Sequence, residues 1–244
     1  EITPRIQGIL PNAKVLLMQS NGGSLTVAAA QDYPVRMITS GPAGGALAVQ
    51  RIGKASQHVN LLGVDMGGTS TDISLIHKGE TRMTTESVIA EHPVKLPMIE
   101  INTIGAGAGS IAWLDNWGGL HVGPQSAGAD PGPACYGKGE EATVTDAHMA
   151  LGHMGADTLL AGDFPIDPDR SVRAIERLAK RAGLTSAKTA LGILEIAEIR
   201  MMRALLVITV QRAVDPARIP LVAYGGAGGL HAAGLRRLLD MPAA

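Results

Sequence analysis

Two aspartates frame a short turn of glycines and hydroxyl residues between two apolar segments. Asp65 ends the first apolar segment and Asp72 begins the second. Glycines let backbone N–H groups approach an anion closely, and hydroxyl groups add hydrogen-bond donors beside them. A carboxylate at the edge of such a turn can hold Mg²⁺ through water or orient an attacking group, which makes Asp65 and Asp72 the candidate catalytic residues. The residues expected to contact phosphate are Gly67, Gly68, Thr69, Ser70 and Thr71.

The apolar residues on both sides of this turn predict two buried strands within residues 61–76, joined by a tight loop. No Gly-Lys-Ser or Gly-Lys-Thr follows the glycines, and the spacing is not a dinucleotide-binding fingerprint, so those two phosphate motifs are excluded. The simpler interpretation is a hairpin that needs glycine only for its shape. In that case Asp65 caps the end of a strand, and Asp72 accepts hydrogen bonds from the glycine backbone.

A second glycine-rich segment, residues 224–231, lies between a predicted strand at 219–223 and a predicted helix at 230–239. A helix N-terminus that is free of side chains can meet a phosphate or the edge of a nucleoside. Because glycine-rich turns between strands and helices are common, the segment is informative only together with the first motif. The residues that form a nucleoside-binding turn in this interpretation are Gly225, Gly226, Ala227 and Gly228.

Three histidines and Asp146 are weaker candidates for a functional site. His231 either contacts the ligand or packs within its helix. His148 and His153 are five residues apart, which is not the spacing that places two metal ligands on one helical face. Asp146 precedes a predicted helix at 147–153, so its interpretation is a helix cap rather than a catalyst.

Composition limits the class of protein. The 244 residues are 45% hydrophobic and 18% charged, which is typical of a globular chain with a sizeable core. A net charge of −1 and 2% aromatic residues argue against a nucleic-acid partner. The single cysteine, Cys135, excludes internal disulfides and fits a reducing cytoplasm. The longest apolar run, Ala204–Val210, is too short to span a membrane.

The order of predicted elements indicates two parts. Residues 1–58 predict a β-α-β-α lead-in with strands at 13–20 and 35–38, a helix capped by Ser24, and a helix that begins at Ser40. Residues 59–244 contain the two glycine motifs, a Gly/Pro-rich loop at 123–139 and a long helix at 186–214. A loop of that length in a compact domain is often functional.

Taken together, several segments resemble the hydantoinase A/5-oxoprolinase family, which includes N-methylhydantoinase A, within the actin, hexokinase and Hsp70 superfamily of ATPases. The Asp-x-Gly-Gly-Thr-x-Thr-Asp pattern resembles a phosphate loop of that superfamily. The segments that carry the resemblance are Ser20–Gly23, Ser40–Gly44, Val64–Asp72, Thr103–Gly107, Ser110–Ala112, Val122–Gly137, Thr143–Ala147 and Gly225–Ala232. Of these, the long loop is the most specific, because no general physical demand dictates its sequence.

The resemblance implies an α/β fold, an actin-like (ribonuclease H-like) ATPase lobe with a mixed sheet flanked by helices. Family members bind ATP, with Mg²⁺, between two such lobes, each with its own phosphate loop. This chain has one phosphate loop, at 61–76, and one adenosine turn, at 224–231, so a first lobe of the same protein is implied as a missing partner. We therefore expect a fragment, and we expect the fragment alone to be inactive.

The resemblance also implies an activity. Family members are cytoplasmic enzymes that use ATP to activate the amide carbonyl of a cyclic amide of the hydantoin or 5-oxoproline type for hydrolysis, in some cases with a hydantoinase B-like partner subunit. Two alternatives stay open: a subunit of an ATP-dependent ketone carboxylase, and a nucleotide-binding module without turnover. The sequence departs from the family pattern at Asn102, where the family commonly has a histidine. Such a histidine could bind a metal together with Asp130 and Cys135, so this metal site is in doubt here.

Overall fold

The computed structural model describes residues 2–89, 91–155, 159–160 and 164–242. The chain forms two compact units, each described by itself. The first comprises Glu1–Gly63 and Ser74–Ile101, and the second comprises Val64–Ile73 and Asn102–Ala244. The strands that carry the first glycine motif contribute residues to both units.

The described residues of the first unit contain three helices near its start and several short strands. Its helices are α1 (Ile2–Ile9), α2 (Val27–Asp32) and α3 (Ser40–Ser56). Its strands are β1 (Leu16–Met18), β2 (Ser24–Thr26), β5 (Glu80–Thr81), β6 (Met83–Thr84), β7 (Ser87–Ile89), β8 (His92–Val94) and β9 (Met98–Ile99). Strands β3 (Leu61–Met66) and β4 (Thr71–His77) begin and end in different units.

The predicted β-α-β-α lead-in is wrong at two places. The predicted strand at 35–38 is a 3₁₀ turn, Pro34–Met37, because proline fixes a φ angle that suits the first turn of a helix. Ser24 is not a helix cap: it pairs with Met18 in a β1–β2 hairpin, and Thr26 caps α2 by accepting a bond from the Ala29 N–H at 3.3 Å. Helix α1 also precedes the first strand.

Helix α3 begins at Ser40, as predicted, with Pro42 in its first turn. Its last residue is Ser56, and the following residue, Gln57, has a φ of +61°, which is outside the right-handed helical region. Its inner face carries Ala43 and Ala46, which pack with Ile99 in a small apolar core. Small side chains on this face let the helix lie close to its neighbours.

The central sheet has the order β10-β4-β3-β15, in which β10 is Asn102–Ile104 and β15 is Leu221–Tyr224, and β5 is paired to β4. The prediction of two buried strands joined by a tight loop within residues 61–76 is confirmed, since β3 and β4 are neighbours and the loop Gly67–Ser70 joins them. Leu61, Leu62, Val64 and Met66 of β3 are at most 2% exposed, which is typical of a strand covered on both faces.

The described residues of the second unit also contain six further strands and four helices. Its strands are β10 (Asn102–Ile104), β11 (Ser110–Leu114), β12 (Leu120–Ser126), β13 (Leu159–Leu160), β14 (Phe164–Pro165) and β15 (Leu221–Tyr224). Of these, β11–β12 and β13–β14 form separate two-stranded sheets. Its helices are α4 (Val144–Ala150), α5 (Pro168–Ala182), α6 (Ser186–Val210) and α7 (Gly225–Leu238). Short 3₁₀ turns lie at Ala134–Tyr136 and Pro216–Arg218. No helix among the described residues is both long and apolar enough to cross a membrane.

Two helix starts differ from the prediction in detail. Helix α4 begins at Val144, and Thr143 is its N-cap. Asp146 does act in the cap, as the third residue of a capping box, because its carboxylate accepts the Thr143 N–H while Thr143 Oγ1 accepts the Asp146 N–H. Helix α7 begins at Gly225 rather than at Leu230, so the predicted glycine turn is the first turn of the helix itself.

Candidate functional site

The loop Gly67–Ser70 presents backbone donors to solvent. Gly67 N–H donates to the Ser70 carbonyl at 3.0 Å, which closes the turn. The N–H groups of Gly68, Thr69 and Ser70 find no acceptor in the part of the chain that the structure describes. Gly68 and Thr69 are exposed, so the loop has successive backbone donors without an acceptor at the surface, which is a feature of anion-binding turns.

A second glycine loop, Gly105–Gly109, fixes the direction of these donors. Ala108 N–H donates to the Gly67 carbonyl at 3.0 Å, and Gly109 N–H donates to the Gly68 carbonyl at 2.7 Å. Because both carbonyls are turned toward the second loop, the following N–H groups face the opposite way. The side chain and N–H of Thr145 in turn both donate to the Ala108 carbonyl, at 2.9 and 2.8 Å. The repeated glycines at 105–109 are the one sign of this supporting loop in the amino-acid sequence.

Gly107 is required by this close approach. A Cβ atom there would lie 2.6 Å from the carbonyl carbon of Gly68 and from the nitrogen of Thr69. We expect Gly107→Ala to lower the free energy of unfolding by about 1–3 kcal/mol, because the two backbones must separate. Gly105→Ala is the matched control, since a Cβ there meets nothing within 4 Å. Urea unfolding of both variants tests this, and equal stabilities would contradict it.

The three hydroxyl residues of the motif have different surroundings. Thr71 is fully buried, and its hydroxyl donates to the Ala106 carbonyl at 2.5 Å. Thr69 is exposed and Ser70 is half-buried, beside the free N–H groups. Thr71 thus holds the two glycine loops together, whereas Thr69 and Ser70 lie where an anion would bind.

Asp65 and Asp72 stand on either side of the loop. Asp72 accepts a bond from the Thr103 hydroxyl at 2.5 Å, and Thr103 is its partner in the β4–β10 register. Burial raises the pKa of the Asp65 carboxyl group above its usual value, and the charge of Asp72 raises it further. Neither carboxylate forms an ion pair with a lysine or arginine among the described residues. As far as the described residues go, the site therefore holds two carboxylates without a counter-charge.

The raised pKa of Asp65 has a consequence for stability. The pKa of Asp65 is higher in the folded state than its unfolded value near 3.8. The free energy of unfolding therefore falls as the pH rises from the unfolded pKa through the folded one. We expect Asp65→Asn to raise the melting temperature of the ligand-free chain at pH 7.5, and this gain to shrink as the pH falls toward 4. Calorimetric scans of both proteins across this range would measure it. A lower melting temperature for Asp65→Asn at pH 7.5 would contradict the stated electrostatics.

The N-terminus of helix α7 lies against the same aspartate. Gly225 has a φ of +83°, and a Cβ there would collide with the Asp65 carboxylate and lie 2.8 Å from the Met66 carbonyl. At Gly226, a Cβ would meet nothing within 4 Å, so the backbone is open to solvent there. The N-cap residue, Tyr224, makes no side-chain cap bond, which leaves the first N–H groups of the helix available to an anion.

The remaining two residues of the predicted turn face inward. Ala227 is 4% exposed. A Cβ on Gly228 would lie 3.2 Å from the Val64 carbonyl, so this glycine permits close packing of α7 on β3. Of the predicted turn, Gly225 and Gly226 are the residues that the structure exposes beside Asp65.

The metal site in doubt combines Asp130 and Cys135 with a histidine at the position where this chain has Asn102. Asn102 donates to the Ala204 carbonyl at 3.3 Å, and Asp130 pairs with Lys138 at 3.1 Å on the surface. Cys135 is buried, and burial is the main cause that raises the pKa of its thiol to about 12, so it is not a nucleophile. Among the described residues, no group of three or more histidine, cysteine or carboxylate side chains is arranged to hold a metal ion.

One cluster of histidine side chains was not predicted from the sequence. His148, His153 and His231 lie together although 83 residues separate the first from the last. Their spacing along the chain carries no signal for this, because the contact depends on how α4 packs relative to α7.

Comparison with known proteins defines the class to which this site belongs. The sequence model of the hydantoinase/oxoprolinase family matches residues 2–244, so the chain belongs to that family. The resemblance stated from the motifs is therefore confirmed.

Two of the similar proteins are named as enzymes that act on amides, a caprolactamase and a 5-oxoprolinase. Subunit alpha of the caprolactamase of Pseudomonas jessenii is 40% identical over 87% of this chain and 31% of its own length. The crystal structure of this ATP-dependent caprolactamase matches with a TM-score of 0.82 and 35% identity over 98% of this chain and 36% of that chain. The 5-oxoprolinase PfmaA of Pestalotiopsis fici is 38% identical over 84% of this chain and 17% of its own length.

A nucleotide-free structure of acetone carboxylase, described as ATP-dependent, matches with a TM-score of 0.88 and 30% identity over 98% of this chain and 34% of that chain. The predicted fold class, an actin-like ATPase lobe with a mixed sheet flanked by helices, is confirmed. The chain spans between 17% and 36% of the length of its curated relatives.

Proposed function

We propose that this chain is the second, nucleotide-binding lobe of an ATP-dependent hydrolase of cyclic amides of the hydantoin or 5-oxoproline type. The observation that carries the proposal is the pair of open donor groups beside Asp65: the N–H groups of residues 68–70 and the N-terminus of α7. Its relatives include an ATP-dependent caprolactamase and a 5-oxoprolinase, which supports the cyclic amide as substrate.

In this proposal the phosphates of ATP lie against the loop Gly67–Ser70. The N–H groups of Gly68, Thr69 and Ser70 donate to phosphate oxygens, and the hydroxyls of the exposed Thr69 and the half-buried Ser70 add further donors. Gly225 and Gly226 present the positive end of the α7 dipole to the nucleotide. The buried Thr71, Ala227 and Gly228 serve the site by holding its backbone in place.

The two aspartates are suited to hold Mg²⁺. Their charges repel each other and lack a described cationic partner, and Mg²⁺ is typically bound by one or two carboxylates together with water and phosphate oxygens. Asp65 is the residue that we assign to the metal, through water. Asp72 accepts a hydrogen bond from the Thr103 hydroxyl, which restricts the orientation of its carboxylate.

Bound ATP would supply the phosphoryl group that makes an amide oxygen into a leaving group. The residues of this chain contribute positioning and charge neutralisation: donors orient the phosphates, and the metal-holding carboxylates offset their charge. The remainder of the proposal comes from the relatives. The name of the caprolactamase relative, a subunit alpha, supports a partner subunit. A hydantoinase B-like identity for that subunit and a first lobe of the same protein follow from the family resemblance, and a reducing cytoplasm suits the single buried Cys135.

A subunit of an ATP-dependent ketone carboxylase is the second candidate. It is favoured by the TM-score of 0.88 to acetone carboxylase, against 0.82 to caprolactamase. Sequence identity favours the amidase, since it is 35% to the caprolactamase structure and 30% to the carboxylase structure. We prefer the amidase, because sequence records substrate contacts more directly than the overall fold does.

Phosphate release from ATP by the complete enzyme tests the proposal. We expect it to be stimulated by 5-oxoproline or a hydantoin and not by acetone, and to be lost in Asp65→Ala. Stimulation by acetone alone would identify the carboxylase. ATP binding without stimulated release by any of these substrates would favour a module without turnover.

A further inference from the structure

Four titratable side chains of the second unit contact one another in a line that ends on helices α6 and α7. His153 Nδ1 lies 2.9 Å from His148 Nδ1, and His148 Nε2 lies 3.2 Å from His231 Nε2. His231 Nδ1 lies 3.4 Å from Glu198 Oε1. The line therefore joins the segment after α4 to α4, α7 and α6. His148 and His231 are at most 1% exposed, whereas His153 is exposed.

These contacts permit one arrangement of protons when the imidazoles are neutral and Glu198 is ionised. A carboxylate only accepts, so His231 must carry its proton on Nδ1 and donate it to Glu198. His231 Nε2 is then an acceptor and takes the Nε2 proton of His148. His148 Nδ1 is in turn an acceptor and takes the Nδ1 proton of His153. Any other arrangement sets two acceptors or two protons against each other at one of the contacts.

Helix α7 needs such a fixed contact more than an ordinary helix does. Its sequence, GGAGGLHAAGLRRL, consists of glycine or alanine at eight of fourteen positions. Only two of its larger side chains are fully buried, His231 and Leu235. A helix whose N-terminus must stay free of side chains therefore depends on very few residues for its position. Glu198 contacts the same helix again, because a Cβ on Gly234 would collide with its carboxylate.

We propose that His231 is a positioning residue for the N-terminus of α7, which it fixes through bonds of defined direction to His148 on α4 and Glu198 on α6. The proposal rests on the proposed function, in that the N-terminus of α7 is taken as part of the nucleotide site. The proposal goes beyond that function, because it assigns a role to residues that do not contact the nucleotide but determine the position of the Gly225–Gly226 backbone.

The chain of histidines also makes this part of the molecule sensitive to acid. Burial, and then the charges of His231 and His153, lower the pKa of His148 to about 3. The groups that face His148 are His231 from α7 and His153 after α4, with Glu198 of α6 reached through His231; α5 meets α4 through Ser171, which donates to Asp146. A base whose pKa is lowered on folding loses stability as the pH falls from its unfolded value of 6.5 toward 3.

The experiment compares His148→Gln, which can still donate from its amide to His231, with His148→Leu, which cannot. Nitrogen-detected NMR of the 244-residue chain gives the tautomer of each histidine, and amide NMR gives the position-sensitive shifts of Gly225 and Gly226. Titration with MgATP gives the Kd. Urea unfolding at pH 7.5 and 5.0 gives the proton linkage. Circular dichroism confirms that each variant is folded under the conditions used.

We expect the Nδ1–H tautomer for His231, shifted Gly226 amide resonances and an about tenfold higher Kd in His148→Leu, and near-complete rescue in His148→Gln. From pH 7.5 to 5.0, His148 should lower the folding equilibrium constant of the wild type by about 30-fold, a component that both variants lose. An Nε2–H tautomer for His231 would overturn the proposal. So would an unchanged Gly226 amide in His148→Leu, or a glutamine variant no better than leucine.

Failure of the proposed function gives a different result. If the wild type binds no MgATP while the tautomers, the Gly226 shifts and the rescue are as expected, the nucleotide site is wrong and the positioning of α7 stands. If His148→Leu does not fold, the tautomer of His231 in the wild type and the amide shifts of His148→Gln still decide the inference.

Discussion

Replacing Asp146 with alanine is expected to lower the free energy of unfolding by about 3–5 kcal/mol, the largest stability effect that the structure indicates. The carboxylate is fully buried and accepts five hydrogen bonds. Three come from the N–H groups of Ala134, Cys135 and Thr143, at 3.0–3.1 Å. The other two come from the hydroxyls of Thr143, at 2.7 Å, and Ser171, at 2.5 Å.

The size of this effect follows from the donors that remain. Alanine would leave five buried donors without an acceptor, and each unsatisfied group costs about 1–3 kcal/mol before relaxation or entry of water. The loss would also free the Gly/Pro-rich loop from α4 and α5, because Asp146 is bonded to both sides. A domain is stable by about 5–15 kcal/mol in total, so the variant should be close to unfolding.

Asp130→Ala is the matched control for Asp146→Ala. It removes a carboxylate from the Gly/Pro-rich loop that Asp146 binds, but Asp130 is exposed and pairs with Lys138 on the surface, at 3.1 Å. We expect a change below about 1 kcal/mol, as for other surface ion pairs. Urea unfolding of the two variants measures the difference. A loss below 1 kcal/mol in Asp146→Ala would show that the carboxylate does not hold the loop.

Gly226→Val is expected to have the largest effect on nucleotide binding, an increase of about 100-fold in the Kd for MgATP. The position is open in the free chain, because a Cβ there meets nothing within 4 Å. The valine side chain would therefore be tolerated by the protein and would instead occupy the space that the nucleotide needs at the N-terminus of α7. Isothermal titration with ATP and Mg²⁺ measures the change.

Gly229→Val gives the control for this substitution. It lies one turn further along the same helix, and its Cβ also meets nothing within 4 Å. The cost in helix propensity is therefore the same for both variants. We expect Gly229→Val to change the Kd by less than about threefold. Equal weakening by the two valines would mean that the helix, and not contact with the nucleotide, is responsible.

Local sequence signals predicted the parts of the fold that short segments determine. The apolar residues around the first glycine motif fixed two buried strands, because a strand covered on both faces is apolar almost throughout. Helix α5, Pro168–Ala182, is a further element whose bounds are visible in short segments of sequence, since Pro168 and Gly183 mark its two ends. The strand predicted at 35–38 failed because β-branched residues indicated a strand where Pro34 begins a 3₁₀ turn.

The candidate site was predictable only in part, for a physical reason. Glycine and aspartate show where a backbone can approach an anion, but the sequence does not show which way each N–H points. That direction is set by Ala108 and Gly109, about forty residues beyond the loop. The placement of Thr71 in the core, and the meeting of His148 with His231, likewise depend on packing between elements that are distant in the chain.

The most direct test of the account is an amide NMR titration of the chain with MgATP. The central claim is that phosphate oxygens accept bonds from the N–H groups of Gly68, Thr69 and Ser70 and meet the N-terminus of α7 at Gly226. We expect these four amides to show the largest shifts, and the three loop amides to respond less to adenosine, which lacks phosphates. Binding of MgATP that leaves the loop amides unchanged would contradict the claim.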